Sequence, residues 1–289
     1  MRIGIDIMGG DFAPKTTIKG SILAKKHLPK DIEIILYGVK KIITSILKKY
    51  NAPVNTFNII DCPETIEMDE HAIKGLRKNP NSSISIGIQH LSENKIDGFA
   101  SAGNTGAMFV AGFQTIKPIP GIIRPCISSI LPQDNGKVSV LLDVGANADC
   151  KADVLYQFGL LGSLFAQNIF NIKNPKVGLL NLGEEQSKGN LLTQSTYDIM
   201  KNNREYNFIG NIEGTDLFED KADVIVCDGF TGNIVLKQAE AFYKLVKRRK
   251  IKDSYFERFN YEIYGGTPIL GVNKTVVIGH GISNDIAIK

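Results

Sequence analysis

The chain has 289 residues, of which 43% are apolar and 22% charged, and these are ordinary values for a soluble globular protein with a substantial core. The formal net charge of +4 is small and no long basic tail accompanies it, so nucleic-acid binding gains no support. The four cysteines form no CxxC pair, which argues against a zinc knuckle and against a disulfide scaffold.

Short apolar runs that predict β-strands recur along the chain, and most are followed by a helix-like segment. The predicted strands span residues 2–8, 32–38, 57–61, 98–101, 138–145, 177–183, 224–229 and 276–281. This alternation is typical of a mostly parallel sheet covered by helices on both faces. Because ligands of such folds gather at the carboxyl ends of the strands, we expect the polar residues there to share one cleft.

One segment interrupts the alternation. Two apolar runs flank the sequence QDNG, and the pair Asn135-Gly136 is a strong signal for a hairpin turn. We predict a β-hairpin arm or subdomain over about residues 122–145, which is also a candidate dimer contact. The rest of residues 1–289 is interpreted as a single domain.

Two of the polar strand ends are rich in glycine. The first contains Asp6, Gly9, Gly10 and Asp11, where adjacent glycines indicate either a closely approaching ligand or a tight strand-to-helix turn. The second is SAGNTGA, with candidates at Ser101, Gly103, Asn104, Thr105 and Gly106. This segment begins a predicted helix, where free backbone N–H groups and the helix dipole can bind an anion. A simple helix cap is the alternative interpretation. Neither GxGxxG nor GxxxxGK[ST] occurs, so both nucleotide fingerprints are absent.

The later strand ends carry acidic, amide and basic residues. Asp143, Asn147 and Asp149 could bind a divalent ion or act as a base, with turn and cap roles as the alternative. Lys188 suits an anionic substrate, and Asp228 and Gly229 precede a predicted helix. His280 lies between two glycines and is either catalytic or structural. No GxSxG elbow occurs, and Cys150 and Cys227 are more typical of small buried apolar residues than of acyl carriers.

Taken together, these motifs resemble one protein family over the whole chain. They are IGIDIMGGDFAP, SAGNTGA, IPGIIRP, LLDVGANADCK, GLLNLGEEQSKGN, FIGNIEG, VIVCDGFTGN and YGGTPILGVNKTVVIGHG, in this order. The sequence is similar to the bacterial phosphate acyltransferases of phospholipid synthesis, the PlsX family. The resemblance implies a three-layer α/β/α Rossmann-like fold, related to isopropylmalate dehydrogenases and phosphotransacetylases, usually in a homodimer.

The resemblance also implies an activity. Long-chain acyl-[acyl-carrier-protein] and inorganic phosphate would give acyl phosphate and free acyl carrier protein, and the product would feed a membrane glycerol-3-phosphate acyltransferase. No metal, cofactor or covalent intermediate is required. We expect a cytoplasmic protein without signal peptide or membrane span, either free in solution or peripheral at the inner face of the membrane. Family members carry a longer apolar segment thought to touch the membrane and a further C-terminal helix, whereas here the corresponding segment is polar and basic.

For this chemistry we expect catalytic roles for Asn104, Asn147, Lys188 and His280. Phosphate or substrate binding is expected at Asp6, Gly9, Gly10, Asp11, Arg77, Ser101, Gly103, Thr105, Gly106, Arg124, Asp143, Asp149, Asp228 and Gly229. Residues 247–250 (KRRK) are the candidate surface for the acidic carrier. The alternatives are a short-chain phosphate acetyltransferase that uses coenzyme A and a non-catalytic acyl- or phosphate-binding regulator. A dehydrogenase is disfavoured because a nicotinamide fingerprint is missing.

Overall fold

The computed structural model of the protein describes residues 1–289, apart from the side chain of Val54. The chain divides into two compact units. Unit 1 comprises Met1–Ile119 and Tyr261–Lys289, and unit 2 comprises Pro120–Asn260.

The first segment of unit 1 alternates strands and helices as the sequence predicts. Its strands are β1 (Arg2–Asp6), β2 (Glu33–Gly38), β3 (Asn58–Asp61) and β4 (Gly98–Ser101). Its helices are α1 (Lys15–His27), α2 (Lys40–Lys49), α3 (Ala72–Lys78), α4 (Ser83–Ser92) and α5 (Thr105–Ala111), the last prolonged by a π-helical turn over Gly112–Ile116.

Unit 2 follows with the same alternation after an initial hairpin. Its strands are β5 (Cys126–Pro132), β6 (Val138–Leu142), β7 (Lys176–Leu180), β8 (Asn207–Ile212) and β9 (Val224–Val226). Its helices are α6 (Ala152–Phe170), α7 (Leu191–Met200), α8 (Gly229–Arg248) and α9 (Ser254–Glu257). The chain then returns to unit 1 with α10 (Tyr261–Tyr264), β10 (Gly266–Leu270), β11 (Thr275–Gly279) and α11 (Asp285–Ile288).

The strands of unit 1 run in the order β3-β2-β1-β4-β11-β10, all parallel except the antiparallel pair β10–β11. Ile5 of β1 and Val277 of β11 both pair with Ala100 of β4, so these three strands end at the same edge. Beside them, apolar residues of α1 and α2 such as Ile18 and Leu47 pack with β2 in a closed core. The parallel register therefore places the glycine-rich strand ends of unit 1 side by side.

The strands of unit 2 run in the order β5-β6-β9-β7-β8. The predicted hairpin is confirmed, because β5 and β6 pair antiparallel from Ser128↔Leu142 to Pro132↔Val138. Both strands are buried and β6 also pairs in parallel with β9, so the hairpin is part of the sheet of unit 2.

The predicted strands are all present, and their errors are systematic. The predictions for β1, β6, β7, β9 and β11 run past the carboxyl end by two or three residues, into the loops and helix starts that follow. Two strands were missed, β8 and β10, whose glycine, asparagine and proline residues hide the apolar pattern. Among the helices that the structure describes, none has both the length and the apolar composition to cross a membrane.

Candidate active site

A buried carboxylate joins the first two strand ends of unit 1. Ser101 donates its hydroxyl to Asp6 Oδ2 at 2.6 Å and accepts the backbone N–H of Gly103 at 2.9 Å. The other oxygen, Oδ1, accepts the N–H of Met8 at 2.9 Å. Only 1% of Asp6 is exposed, and burial raises its pKa although these hydrogen bonds oppose the rise. Asp6 thus fixes the loops after β1 and β4 and does not present its carboxylate to solvent.

The paired glycines after β1 allow three backbones to approach one another. A Cβ on Gly9 would lie 2.5 Å from the backbone nitrogen of Gly103, and one on Gly10 would lie 3.2 Å from the carbonyl oxygen of Gly281. Gly10 also has a φ of +107°, and Asp11 donates its N–H to the Gly281 carbonyl at 2.8 Å. Close packing of the turn accounts for both glycines without a ligand.

Asn104 holds the loop after β4 against the segment before α3. Its Oδ1 caps α5 by accepting the N–H of Ala107 at 2.9 Å. Its Nδ2 donates to the carbonyl oxygens of Glu67, Met68 and Glu70 at 2.8–3.2 Å. Because carbonyl groups of the protein already surround both hydrogens of this amide, the arrangement argues against Asn104 as an oxyanion donor and assigns it a positioning role.

The other predicted residues of unit 1 reach the surface near this point. Thr105 and Gly106 are exposed at the start of α5, where the first N–H groups of a helix lie outside its hydrogen-bond ladder. A Cβ on Gly106 would lie 3.2 Å from that of Ala72, so α3, which carries the exposed Arg77, packs against this turn. His280 is half-buried with its ring 5.5 Å from that of Tyr261.

Unit 2 has its own buried carboxylate at the end of β6. Asp143 accepts the N–H of Ile127 on Oδ1 at 2.8 Å and the N–H of Asn147 on Oδ2 at 2.6 Å. The Asn147 amide donates to the Pro125 carbonyl at 2.9 Å and to Asp143 Oδ2 at 3.1 Å. Burial raises the pKa of Asp143, and both hydrogens of the Asn147 amide have partners. Asn147 therefore also holds loops in place, since both hydrogens of its amide are bonded within the protein.

The start of α8 is attached to the same network. Gly229 donates its N–H to the Asn147 carbonyl at 2.8 Å, and a Cβ at Gly229 would lie 2.7 Å from Asp143 Oδ2. Asp228 caps the helix by accepting the N–H of Thr231 at 2.8 Å and its hydroxyl at 2.9 Å. Asp143, Asn147, Asp228 and Gly229 are thus brought together as one polar group within unit 2.

The cations predicted in unit 2 are exposed. Arg124 donates from Nη1 to the backbone carbonyl of Asp149 at 3.0 Å, and the side chains of both residues face solvent. Lys188 is exposed in the loop between β7 and α7, and Asn181 Nδ2 donates to its carbonyl at 3.2 Å. The exposed cationic side chains of Arg124 and Lys188 can therefore meet an anion from solution.

The thiols near Asp143 are poor nucleophiles. Burial raises the pKa of Cys150 to about 12, and it raises the pKa values of Cys126 and Cys227 well above the usual range. Across the part of the chain that the structure describes, no group of three or more His, Cys, Asp or Glu residues is arranged to hold a metal ion.

Two groups of atoms that hold the candidate site in place have no signal in the sequence. Ser83, at the start of α4, donates a hydrogen bond that lowers the pKa of Asp6, and the carbonyls of residues 67–70 receive the Asn104 amide. Sequence reasoning misses both, because the strand ends meet these segments only in the folded chain. Gly281 lies within one of the family motifs, but its contact with Gly10 and Asp11 could not be foreseen.

Comparison with known proteins identifies relatives over the full length. A family described as "Fatty acid synthesis protein" matches residues 1–255. A phosphate acyltransferase of Dictyoglomus thermophilum is 43% identical, covering 100% of this chain and 91% of the relative. A phosphate acyltransferase of Halothermothrix orenii is 42% identical, with coverages of 100% and 92%. Among solved structures, a phosphotransacetylase of Streptococcus pyogenes aligns with a TM-score of 0.68 at 20% identity, covering 100% of this chain and 90% of that protein. At this identity the structural likeness concerns the fold, which agrees with the predicted α/β class.

Proposed function

Because the chain belongs to the family of fatty acid synthesis proteins, we propose that it transfers a long-chain acyl group from acyl carrier protein to inorganic phosphate. A phosphate oxygen attacks the thioester carbonyl carbon and forms a tetrahedral oxyanion. The C–S bond then breaks, releasing the carrier thiolate and the acyl phosphate. The observation that carries the proposal is full-length similarity at 42–43% identity to phosphate acyltransferases.

The protein's largest contribution to this reaction is to position phosphate against the thioester, because phosphate is strongly hydrated and weakly nucleophilic. Fixing two reactants in attack geometry can contribute about 7–11 kcal/mol. In unit 1, the exposed backbone of Thr105 and Gly106, with Arg77 on the adjacent helix, is the group we propose for phosphate. Asp6, Ser101 and Asn104 act through this loop by holding it in place.

The negative charge that develops during attack needs a stabilising group. Each unit, considered by itself, offers one candidate for this charge: the half-buried His280 in unit 1 and the exposed Lys188 in unit 2. The leaving thiolate has a pKa of about 8.5 when free, so it needs little help from a general acid. Asp143 and Asn147 support the reaction by fixing the start of α8 and do not contact substrate.

The carrier protein and a second copy of the chain are proposed partners. Residues 247–250 begin at the end of α8, and a helix of 20 residues is about 30 Å long. An acidic carrier held there would be far from Asp228 at the start of α8, and Lys247 is already paired with Glu257 at 3.2 Å. We therefore assign this cluster to attracting the carrier from solution. The exposed Phe242 and Leu245 on α8 suit a homodimer contact.

The test is incubation with palmitoyl-acyl carrier protein and labelled phosphate, followed by assay of the acid-labile acyl phosphate. Lys188→Ala should lower kcat/KM by about 100-fold, the scale of losing one charge-stabilising group. Lys173→Ala, which removes another exposed lysine of unit 2, is the matched control and should stay near wild type. Wild-type rates in both Lys188→Ala and Asn104→Ala would refute the residue assignment.

The second candidate function is a short-chain phosphate acetyltransferase that uses coenzyme A. It is retained from the sequence analysis, and the chain shares its fold with a phosphotransacetylase. The same assay with acetyl-coenzyme A distinguishes the two, because the proposed enzyme should prefer palmitoyl-acyl carrier protein by a wide margin. Faster turnover of acetyl-coenzyme A would decide for the alternative.

A further inference from the structure

His280, the first residue after β11, lies beside the loop after β4, to which we assign phosphate. Strands β11 and β4 are parallel neighbours, and Ile278 pairs with Ser101. A Cβ on Gly279 would lie 3.2 Å from the Cβ of Ala102, so the two chains remain adjacent one residue further on. His280 is the next residue and therefore lies next to the start of the phosphate loop, with both segments inside unit 1.

The backbone around His280 is held by hydrogen bonds. The N–H of Ser283 donates to the His280 carbonyl at 2.9 Å, and the N–H of Asp11 donates to the carbonyl of Gly281 at 2.8 Å. His280 stands between two glycines, Gly279 and Gly281, so neither adjacent residue has a side chain that could pack on the imidazole. The direction of the ring therefore depends on contacts with other parts of the fold.

Tyr261, the first residue of α10, contacts this loop at two points. Its ring centroid lies 5.5 Å from that of His280, and the two ring planes are tilted by 43°. Its hydroxyl donates to the carbonyl of Ile282 at 3.0 Å. Burial, together with the charge of Glu262, raises the pKa of Tyr261, so the phenol keeps its proton and remains a donor at neutral pH. The tyrosine ring is thus fixed at its far end and limits the rotation of the imidazole.

The residue after Tyr261 holds the other end of the same loop. Asn284 donates from Nδ2 to Glu262 Oε1 at 2.5 Å. Its Oδ1 accepts the N–H groups of Ile286 and Ala287 at 3.0 and 3.1 Å, at the start of α11. Two consecutive residues of α10 therefore bind the loop after β11, and Tyr261 is held firmly enough to act as a support for the His280 ring.

We propose that Tyr261 is a positioning residue of the reaction: it holds the imidazole of His280 in the direction in which it meets the negative charge formed during attack. The inference rests on the proposed function, in which His280 is the charge-stabilising candidate of unit 1. Because the effect of a fixed group depends on its direction, an imidazole that turns freely stabilises the transition state less without weakening the binding of phosphate. Loss of the tyrosine should therefore lower kcat and leave the KM for phosphate near wild type.

The experiment measures kcat and the KM for phosphate, with palmitoyl-acyl carrier protein as donor, in Tyr261→Leu, His280→Gln and the double variant. Tyr261→Leu should lower kcat about tenfold, whereas in the His280→Gln background the same change should alter kcat by less than about twofold. Tyr261→Phe keeps the ring and loses only the bond to Ile282, so kcat should fall about threefold. Tyr50→Leu changes a 39% exposed tyrosine of unit 1 at the end of α2, and this matched control should keep the wild-type kcat.

A second readout is spectroscopic and needs no turnover. The chain has four histidines, so the ring-proton resonances of His280 can be assigned by their absence from the NMR spectrum of His280→Gln. In wild type these protons should show nuclear Overhauser effects to the ring protons of Tyr261, and Tyr261→Phe should retain them. Absence of these effects in wild type would refute the ring contact and with it the inference.

The outcomes separate this inference from the function on which it rests. If wild type forms no acyl phosphate, the proposed function fails and the inference fails with it. If wild type is active, either an unchanged kcat in His280→Gln or equal losses from Tyr261→Leu in both backgrounds overturns the inference alone, since equal losses mean that Tyr261 only stabilises the fold. A higher KM for phosphate at unchanged kcat also overturns it. If Tyr261→Leu does not fold, the loss in Tyr261→Phe must likewise disappear in the His280→Gln background.

Discussion

The hydrogen-bond chain from Gly103 through Ser101 to Asp6 makes a sharp prediction about stability. In Ser101→Ala, the 2.6 Å bond to Asp6 Oδ2 is lost and the N–H of Gly103 loses its acceptor. Ser101 is 4% exposed and Asp6 is 1% exposed, so water replaces neither contact readily. Since a hydrogen bond to a charged group contributes about 1.5–3 kcal/mol and a buried unpaired N–H costs about 1–3 kcal/mol, we expect a loss of about 2.5–6 kcal/mol in the free energy of unfolding.

The loss of unfolding free energy in Ser101→Ala should grow with pH. Burial raises the pKa of Asp6 in the folded protein above 3.8, so its contribution to stability is complete below pH 3.8 and declines as the pH rises through the folded pKa. The Ser101 bond favours the ionised carboxylate and limits that decline. Without it the folded pKa rises further, and the variant loses more at high pH. Charged and neutral hydrogen bonds differ by roughly 1 kcal/mol, which sets the expected difference between pH 3.5, below the ordinary carboxyl pKa of 3.8, and pH 8.5.

The assay is urea unfolding followed by circular dichroism at both pH values. Ser21→Ala is the matched control, because Ser21 is 2% exposed but donates to the Thr17 carbonyl at 2.8 Å, with no carboxylate involved. It should lose about 1 kcal/mol at either pH. Equal losses for Ser101→Ala at pH 3.5 and pH 8.5 would refute the electrostatic part of the reasoning.

Two further predictions concern the strand-end loops. Gly9→Ala forces the backbones of two loops apart and should lower the free energy of unfolding by about 1–3 kcal/mol. The control Gly214→Ala has no atom within 4 Å of the new Cβ and should change the free energy of unfolding by less than about 0.5 kcal/mol. Melting temperatures report both changes, and similar values for the two variants would contradict the packing argument. Cys150, with a pKa of about 12 against the usual 9.0, should react with iodoacetamide at pH 8 about a thousandfold more slowly than a free cysteine. Mass spectrometry measures that rate, and labelling of the folded protein at the free-cysteine rate would show that the thiol is not buried as described.

Local patterns in the sequence determined much of this protein. Apolar runs such as those of β2 and β6 alternate with amphipathic segments, and the pair Asn135-Gly136 has few conformations other than a turn, so strands, helices and the hairpin could be predicted. The order of motifs along the chain also sufficed to indicate the family, because several of them are long. These features depend on residues that are close together in the sequence.

Only the tertiary structure decided which polar residues face solvent. Asp6 and Asp11 carry the same side chain, yet Asp6 is buried and bonded to the distant Ser101 whereas Asp11 is exposed, and the neighbours Asn104 and Thr105 are divided in the same way. The partners of Asn104 precede it by 34–37 residues, and no local pattern specifies such contacts. Burial is a property of the packed chain. For this reason the sequence could name the strand ends that matter, while the division between residues that hold the loops and residues that can touch a substrate required the fold.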